Sequence, residues 1–189
     1  MSNQINTKMK KHTFILLILF LFTTYSNAQF FNNYELGVGA RIQKTEQLYW
    51  ENGVTADFTS DFLLKKNIHL KLSYVTSRIG SAFNSNAIKQ DNYIIGADWR
   101  FRTNKNFQIF AGLNTGFFHA DMENIQFYSL PHNSMLFGLE TGLYYKFKFP
   151  VTASLSVGYN LINGDGIGTP GTLFPVFYQM SILYNINKK

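Results

Sequence analysis

The chain has 189 residues, a formal net charge of +6 and no cysteine. The lack of cysteine excludes disulfides and a lipid anchor attached through a cysteine thiol. A mean hydropathy of −0.10 argues against a bundle of apolar membrane-spanning helices.

Residues 1–28 have the three parts of a secretory signal peptide. Lysines and a histidine at 8–12 form a basic segment, and an uninterrupted apolar run covers 14–22. Ser26-Asn27-Ala28 then places small residues at a cleavage site. The alternative is an N-terminal membrane anchor, but the apolar run is much shorter than the roughly 20 residues that a spanning helix needs. The sequence therefore predicts export.

Cleavage after Ala28 divides the chain into a signal peptide, 1–28, and a mature domain, 29–189. The signal peptide contains three lysines and no acidic residue, so the net charge of the mature domain is +3. Such a small excess gives little support to a nucleic-acid-binding function, and we expect no nucleic-acid partner.

Four segments in the first half of the mature domain alternate apolar and polar residues with period two, which is typical of strands with one apolar face. The predicted strands cover 34–42, about 53–63, about 68–78 and about 92–102. Their apolar faces include Leu36, Val38, Ala40 and Ile42; Val54, Ala56, Phe58 and Phe62; Ile68, Leu70, Leu72 and Tyr74; and Tyr93, Ile95, Ala97, Trp99 and Phe101.

The second half repeats this pattern at about 107–118, 136–147, 151–161 and 175–186. Its apolar faces include Ile109, Ala111, Leu113 and Phe117; Phe137, Leu139, Leu143, Tyr145 and Phe147; Val151, Ala153, Leu155, Val157, Tyr159 and Leu161; and Val176, Tyr178, Met180, Ile182, Tyr184 and Ile186. Eight alternating segments of about 10 residues match the length that a strand needs to cross a bilayer.

The connections alternate between short and long. Short turns are predicted at 65–67, 103–106 and 148–150, and long polar loops at 43–52, 79–91, 119–135 and 162–174. Outer-membrane barrels have short periplasmic turns and long external loops. The sequence thus predicts an all-β fold: an eight-stranded antiparallel up-and-down transmembrane β-barrel in the cell outer membrane.

Aromatic residues are predicted to form girdles at the two membrane interfaces. The turn-end set is Phe62, Phe101, Phe107, Tyr145, Phe147 and Tyr184, and the loop-end set is Tyr93, Phe117 and Tyr159. Tyr49 and Trp50 fall in the first long loop, where they would either extend the outer girdle or form part of a contact surface.

The polar faces predict a plugged interior, because an eight-stranded barrel is only wide enough for its own side chains. Inward glycines would make room for Phe110 and Tyr144. The inward acids are Glu35, Asp57, Asp61, Asp98 and Glu140, and the inward bases are Arg41, Lys71, Arg100, Arg102 and Lys146. Buried charges must be paired, so we expect a salt-bridge network. A polar conduction path is the alternative.

No motif predicts a catalytic residue, a cofactor site or a metal site with any strength. His132, Ser134 and Glu140 loosely resemble the Ser, His and acid of barrels that deacylate lipid A. Their even numbers, however, place them on the lumenal side, away from lipid. His119, Asp121 and Glu123 could bind a metal but lack ligand spacing. The glycine-rich stretch 163–168 is predicted as a loop tip, since no helix follows it.

The Asn27-Ala28-Gln29 cleavage region, the Tyr34-Glu-Leu-Gly-Val-Gly-Ala40 start and the eight alternating segments together resemble the small outer-membrane barrel proteins of Bacteroidota. Some of these are described as PorT-like, and their shape is similar to OmpX, OmpW and the OmpA barrel. The resemblance covers the mature chain. It implies contact with outer-membrane lipids and lipopolysaccharide. It also implies insertion by the barrel insertion machinery, which would have to read Tyr184 or Ile186 or tolerate the Asn-Lys-Lys end.

The sequence leaves three functions open. A structural, adhesive or accessory surface role carried by the external loops, with a surface protein as partner, is preferred. A narrow OmpW-like, porin-like pore for small solutes is second, and a lipid A-modifying enzyme is third. The leading interpretation predicts a monomeric protein that is not an enzyme and needs no cofactor.

Overall fold

The computed structural model describes residues 33–45, 50–78, 88–101, 104–122, 132–162 and 175–187. These residues form eight strands. Their bounds are β1 Glu35–Thr45, β2 Trp50–Thr59, β3 Ile68–Thr76, β4 Ile88–Phe101, β5 Phe107–Met122, β6 Asn133–Lys146, β7 Val151–Ile162 and β8 Val176–Asn185. In this described part of the chain, no helix is long and apolar enough to span a membrane. The predicted signal peptide lies outside the described residues.

The strands form one closed antiparallel barrel in which each strand pairs with its neighbours in sequence and β8 pairs with β1. The pairing is staggered. Paired residues can be followed from strand to strand around the barrel, starting at Arg41 on β1. Through β2, β3, β4 and β5 this row reaches Ser134 on β6. In the opposite direction, through β8 and β7, it reaches Tyr144 on β6, ten positions away from Ser134. Such a stagger accompanies the tilt that a sheet needs to close into a barrel. The predicted topology is confirmed.

Alternating side chains point to opposite sides of the wall, as the period-two pattern predicts. On β6, for example, Leu139 is 60% exposed on the outside, whereas the neighbouring Glu140 is 4% exposed in the lumen. The exposed outer surface is built from Leu, Ile, Val and aromatic side chains, and most of the buried side chains are polar. This arrangement is the reverse of a soluble protein, and it suits a barrel whose exterior faces lipid.

Glycines make room for large side chains in the narrow lumen. Gly158 on β7 pairs with Phe177 on β8, and a Cβ atom at position 158 would collide with the Phe177 ring. On the opposite wall, Gly112 pairs with Asp98 and leaves space for its carboxylate. The inward glycines therefore determine where bulky and charged residues can lie.

The connections differ from the sequence-based prediction at several points. We call the end with connections 46–49, 77–87, 123–132 and 163–175 the loop end. The end with 60–67, 102–106 and 147–150 is the turn end. The prediction of a long loop at 43–52 is wrong, because the β1–β2 pairing continues to Lys44 and Trp50. The first turn is longer than predicted, since β2 ends at Thr59.

The turn 60–67 has an unusual backbone. Leu64, Lys65 and Lys66 all have positive φ angles, of 47°, 56° and 64°, a region that non-glycine residues seldom occupy. The turn is closed by backbone hydrogen bonds, including one from the amide of Leu63 to the carbonyl of Ser60 (2.9 Å). Lys66 is thereby directed at the Glu35 carboxylate, 3.1 Å away.

Aromatic side chains mark both rims of the apolar exterior, as predicted. Phe101, Phe107, Tyr145 and Tyr184 are exposed near the turn end, and Tyr93, Phe117 and Tyr159 are exposed near the loop end. Phe147 lies between Tyr145 and Phe149, with ring centroids at 4.9 and 5.0 Å. Trp50 is exposed on a strand, so the structure places it in the outer girdle; Tyr49 lies outside the described residues.

The lipid-facing assignment predicts a strong dependence on position for arginine substitutions on the outside of β6. Leu139→Arg should lower the free energy of unfolding by about 2–4 kcal/mol, because a cation near the bilayer centre is costly, whereas Asn133→Arg at the loop end should cost about 0–1 kcal/mol. Denaturant titration of the barrel in lipid vesicles would measure both. Equal costs would contradict the assignment.

Candidate functional site

The lumen contains a connected group of buried charged and polar side chains, which we call the lumen cluster. Its members come from β2 to β6 and all point inward. They are Asp57, His69, Lys71, Asp98, Arg100, Asn114, Glu140 and Tyr144. Buried charges of this kind are tolerated only with partners, since an unpaired buried ion costs several kcal/mol.

Asp57 is the acceptor of the cluster nearest the turn end. One carboxylate oxygen, Oδ1, lies 2.7 Å from His69 Nδ1. The other, Oδ2, accepts a hydrogen bond from the Arg100 guanidinium. All three side chains are buried. Asp57 thus holds Arg100 and His69 in fixed positions by charge-assisted hydrogen bonds.

Tyr144 joins this part of the cluster to the next. The Arg100 guanidinium lies 3.6 Å from the centroid of the Tyr144 ring, a close cation–π contact. The Tyr144 hydroxyl donates to Asp98 Oδ2 (3.0 Å). Phe110 packs against the Tyr144 ring, with the two ring centroids 4.7 Å apart. Together with Leu183 these rings form a buried apolar layer across the lumen.

Lys71 is shared between two carboxylates. Its Nζ lies 2.9 Å from Asp98 Oδ1 and 2.9 Å from Glu140 Oε2, and Asn114 Nδ2 donates to the same Glu140 oxygen (3.0 Å). Lys71 and Glu140 are far apart in sequence, on β3 and β6, so this ion pair links opposite parts of the wall. It is a constraint on the cross-section of the barrel.

A second polar group, the amide cluster, lies nearer the loop end. Its centre is the buried carboxylate of Glu51. Gln43 Nε2 donates to Glu51 Oε2 (2.7 Å), and Asn92 Nδ2 donates to Oε1 (3.0 Å). Gln90 donates to the same Oε1. Arg41 donates to Gln43 Oε1 (2.8 Å), which brings a positive charge close to the group.

The predicted salt-bridge network is confirmed for most of its members, with one error. Glu35 pairs with Lys146 at the turn end, at 3.4 Å. Asp61, however, does not point into the lumen. It is exposed in the turn and accepts a hydrogen bond from Asn33 (2.9 Å), because β2 has already ended. Arg102 lies outside the described residues. The sequence pattern does not reveal the Glu51 site, because it predicts a loop at 43–52 where the structure has paired strands.

The suggested catalytic residues do not form a catalytic cluster. His132 Nδ1 is 3.2 Å from the backbone carbonyl of Ala120, and the Ser134 hydroxyl donates to the carbonyl of Met135 (2.9 Å). Glu140 belongs to the lumen cluster, six positions further along β6. In an extended strand that separation is about 20 Å, too far for a shared proton-transfer site.

The loop end carries a charged surface on the outside of the barrel, which we call the outer wall. Arg78 Nε lies 2.7 Å from Asp91 Oδ2, and Arg78 NH2 lies 2.6 Å from Asp121 Oδ2. The hydrogen bonds from Arg78 to Asp91 and to Asp121 raise the pKa of Arg78, and the bond to Asp91 has the larger effect. Tyr74 and Thr76 also donate to Asp91, at 2.9 and 2.7 Å.

His119 belongs to the outer wall but not to an evident metal site. Its Nδ1 is 2.6 Å from Asn133 Oδ1, and its Nε2 is 3.7 Å from Asp121 Oδ1. Asp121 is already bound by Arg78. Glu123, the third suggested ligand, lies outside the described residues, as does the glycine-rich stretch 163–168. Within the described ranges no group of three or more His, Cys, Asp or Glu side chains is placed to hold a metal ion.

Known structures share this architecture. The chain is similar to the N-terminal β-barrel domain of Pseudomonas aeruginosa OprF, with a TM-score of 0.55 and 15% identity over 80% of this chain and 97% of that chain. It is also similar to Neisserial surface protein A, NspA, with a TM-score of 0.52 and 16% identity over 82% of this chain and 97% of that chain. No protein-family model matches the chain, and no curated protein sequence does either.

These likenesses establish the fold, and the physical character of the two faces agrees with it. The barrel is closed, its exterior is apolar between two aromatic rims, and its interior is polar. In a bilayer every backbone hydrogen bond must be made within the protein, which a closed barrel achieves. The protein is an outer-membrane β-barrel protein.

Loss of the Glu140 carboxylate should destabilise the barrel without preventing its insertion. Glu140→Leu removes the acceptor that Lys71 and Asn114 share and leaves Lys71 with the Asp98 carboxylate alone, so we expect a loss of about 3 kcal/mol and a lower thermal transition. Glu35→Gln, at the more exposed turn-end pair, should cost less than about 1 kcal/mol.

Heat-modifiable gel migration after incubation at rising temperatures would measure both losses. The double variant Lys71→Met/Glu140→Leu should be less stable than Glu140→Leu, since the buried Asp98 carboxylate then loses its lysine as well. A Glu140→Leu variant as stable as the parent would show that the network does not support the fold.

Proposed function

We propose that the protein is a non-enzymatic surface protein of the outer membrane whose role, structural, adhesive or accessory, is carried by its loop end. The observation that supports this proposal most strongly is the height of the outer wall. The strands β4, β5 and β6 have 14, 16 and 14 residues, whereas β1, β2 and β8 have 11, 10 and 10. The barrel therefore extends further at the loop end on the side formed by β4, β5 and β6.

The additional strand length is polar on the outside. Above Tyr93 on β4 come Asp91 and Lys89, and above Phe117 on β5 come His119 and Asp121. Ion-paired and exposed charges of this kind are costly in hydrocarbon, so the apolar belt ends at the aromatic residues. The outer wall then stands in the head-group and aqueous region, in a position to meet a partner outside the cell.

The interior supports a role outside the lumen. The buried layer formed by Phe110, Tyr144 and Leu183 and the ion pairs of the lumen cluster fill the cross-section, as expected for a barrel of this size. We infer that the barrel is a rigid, monomeric support for its loop end, and that it belongs with the small outer-membrane barrels of Bacteroidota. A surface protein is the partner that suits a polar wall with exposed side chains.

Removal of the loop between β5 and β6 should abolish this role and leave the barrel folded. The deletion should cover 124–130, because β5 continues to Met122 and an earlier start would cut the wall. Loop tips tolerate such changes. Adherence and detergent resistance of intact cells would be compared among a strain without the protein and strains producing the parent or the deleted form.

The matched control is a change at the opposite end, Asn104→Ala/Lys105→Ala, which should restore the parental behaviour. We expect the loop-deleted barrel to behave as the strain without the protein. Full complementation by the loop-deleted barrel would count against a role carried by this loop.

The alternative of a narrow pore is tested by conductance. We expect no stable single-channel steps from the parent barrel in planar bilayers, because bulky and paired side chains occupy the lumen. Phe110→Ala/Tyr144→Ala, which removes the apolar layer, should raise the conductance if the variant folds. Stable steps from the parent would favour the pore and contradict the proposal.

A further inference from the structure

Basic residues are concentrated in the connections at the turn end of the barrel. The three turn-end connections, 60–67, 102–106 and 147–150, contain five lysines and arginines and one acidic residue. The four loop-end connections are together more than twice as long, yet they contain one arginine, no lysine and three acidic residues. The connections at the two ends therefore have net charges of opposite sign, and the turn end suits an anionic partner.

The turn 60–67 places apolar side chains beside an exposed lysine. Phe62 is 66% exposed and Leu64 is 53% exposed, and Lys65 is exposed next to them. The neighbouring Lys66 is held in an ion pair at 3.1 Å, whereas Lys65 has no ion-pair partner within the described residues. The tip of this turn is thus amphipathic and carries a cation that the protein does not neutralise.

The turn 147–150 has the same character. Phe149 is 55% exposed, and Lys148 is exposed beside it without an ion-pair partner in the described part of the chain. The Phe147 ring stacks on Phe149, with centroids 5.0 Å apart, and lies 4.9 Å from the ring of Tyr145. Since Tyr145 is on the lipid-facing side of β6, the apolar surface continues from the membrane belt to the tip of the turn.

The third turn, 102–106, differs from these two. Its described residues, Asn104, Lys105 and Asn106, are all polar and exposed. It thus carries a cation at the same end of the barrel but has no apolar residue at its tip, which makes it an internal comparison for the other two turns.

Exposed apolar tips beside cations fit the boundary between lipid head groups and acyl chains. Aromatic side chains are favoured at this boundary, and a lysine stem can lie along apolar surface while its ammonium group reaches a phosphate. In water the same tips would keep their apolar surface hydrated, at a cost in free energy. The short turns of an outer-membrane barrel face the periplasm, where the membrane leaflet is made of glycerophospholipids. An anionic glycerophospholipid supplies both the acyl surface and the negative charge.

We propose that the turns 60–67 and 147–150 are two binding sites for anionic glycerophospholipids of the periplasmic leaflet. Lys65 and Lys148 contact the phosphates, and the exposed apolar side chains beside them contact the upper parts of the acyl chains. The two turns connect β2 to β3 and β6 to β7, so they lie on separate parts of the rim, and a leaflet that surrounds the barrel reaches both. The proposal is independent of the loop-end function.

Native mass spectrometry of the folded barrel tests these sites. The protein is released from a nonionic detergent that contains equal amounts of dioleoylphosphatidylglycerol, which is anionic, and dioleoylphosphatidylcholine, which has no net charge. We expect the parent to retain phosphatidylglycerol at least about fivefold more than phosphatidylcholine, because lysines near the membrane surface attract anionic head groups. Lys65→Gln/Lys148→Gln should lower this preference to about twofold or less.

The matched control is Lys44→Gln/Lys105→Gln, which removes the same charge from the loop end and from the polar turn and should keep the parental preference. Phe62→Asn/Phe149→Asn removes the apolar tips but keeps the lysines. It should lower the retention of both lipids at least about twofold, because contact with the acyl chains is lost. Heat-modifiable migration confirms folding of each variant, and Lys148→Gln alone replaces the double lysine variant if the latter fails to fold.

A parental preference in Lys65→Gln/Lys148→Gln would overturn the proposal. An equal loss of preference in the matched control would also overturn it, because net charge alone would then explain the retention. Equal retention of the two lipids by the parent would show that the basic turns meet a different anionic partner, such as an acidic periplasmic protein, and would contradict the proposal.

Discussion

The whole structure depends on closure of the hydrogen-bonded sheet between β1 and β8. In hydrocarbon an unpaired strand edge would leave backbone amides and carbonyls without partners, at several kcal/mol for each group. Closure satisfies them and simultaneously imposes the stagger, the tilt and the narrow lumen. The inward side chains must then fill a small enclosed space, and the outward ones must face lipid.

Ion-paired side chains fill the lumen, and inward glycines leave the space that these side chains occupy. Lys71 between Asp98 and Glu140, and Arg100 between Asp57 and the Tyr144 ring, connect strands that are distant in the chain. Replacing such buried pairs by well-packed apolar groups can be neutral or stabilising, so they are weak evidence of high stability. Their physical effect here is to define one arrangement of the lumen.

The outer surface of the barrel is not the same on all sides. The longer strands β4 to β6 raise an ion-paired wall at the loop end. This wall is a surface that a closed and filled barrel leaves available, and the proposed function depends on it.

The period-two pattern by itself determined the number of strands, their faces and the membrane environment, because each residue's side follows from its number once a strand is recognised. Phe110, Tyr144, Asp98 and Glu140 were correctly assigned to the lumen for that reason. The pattern could not determine the ends of strands, since polar residues continue the outward face above the membrane. Asp61 and the segment containing Glu51 were therefore misassigned. Which inward charges meet, and which outward residues share a row, were decided only by the stagger of the closed barrel.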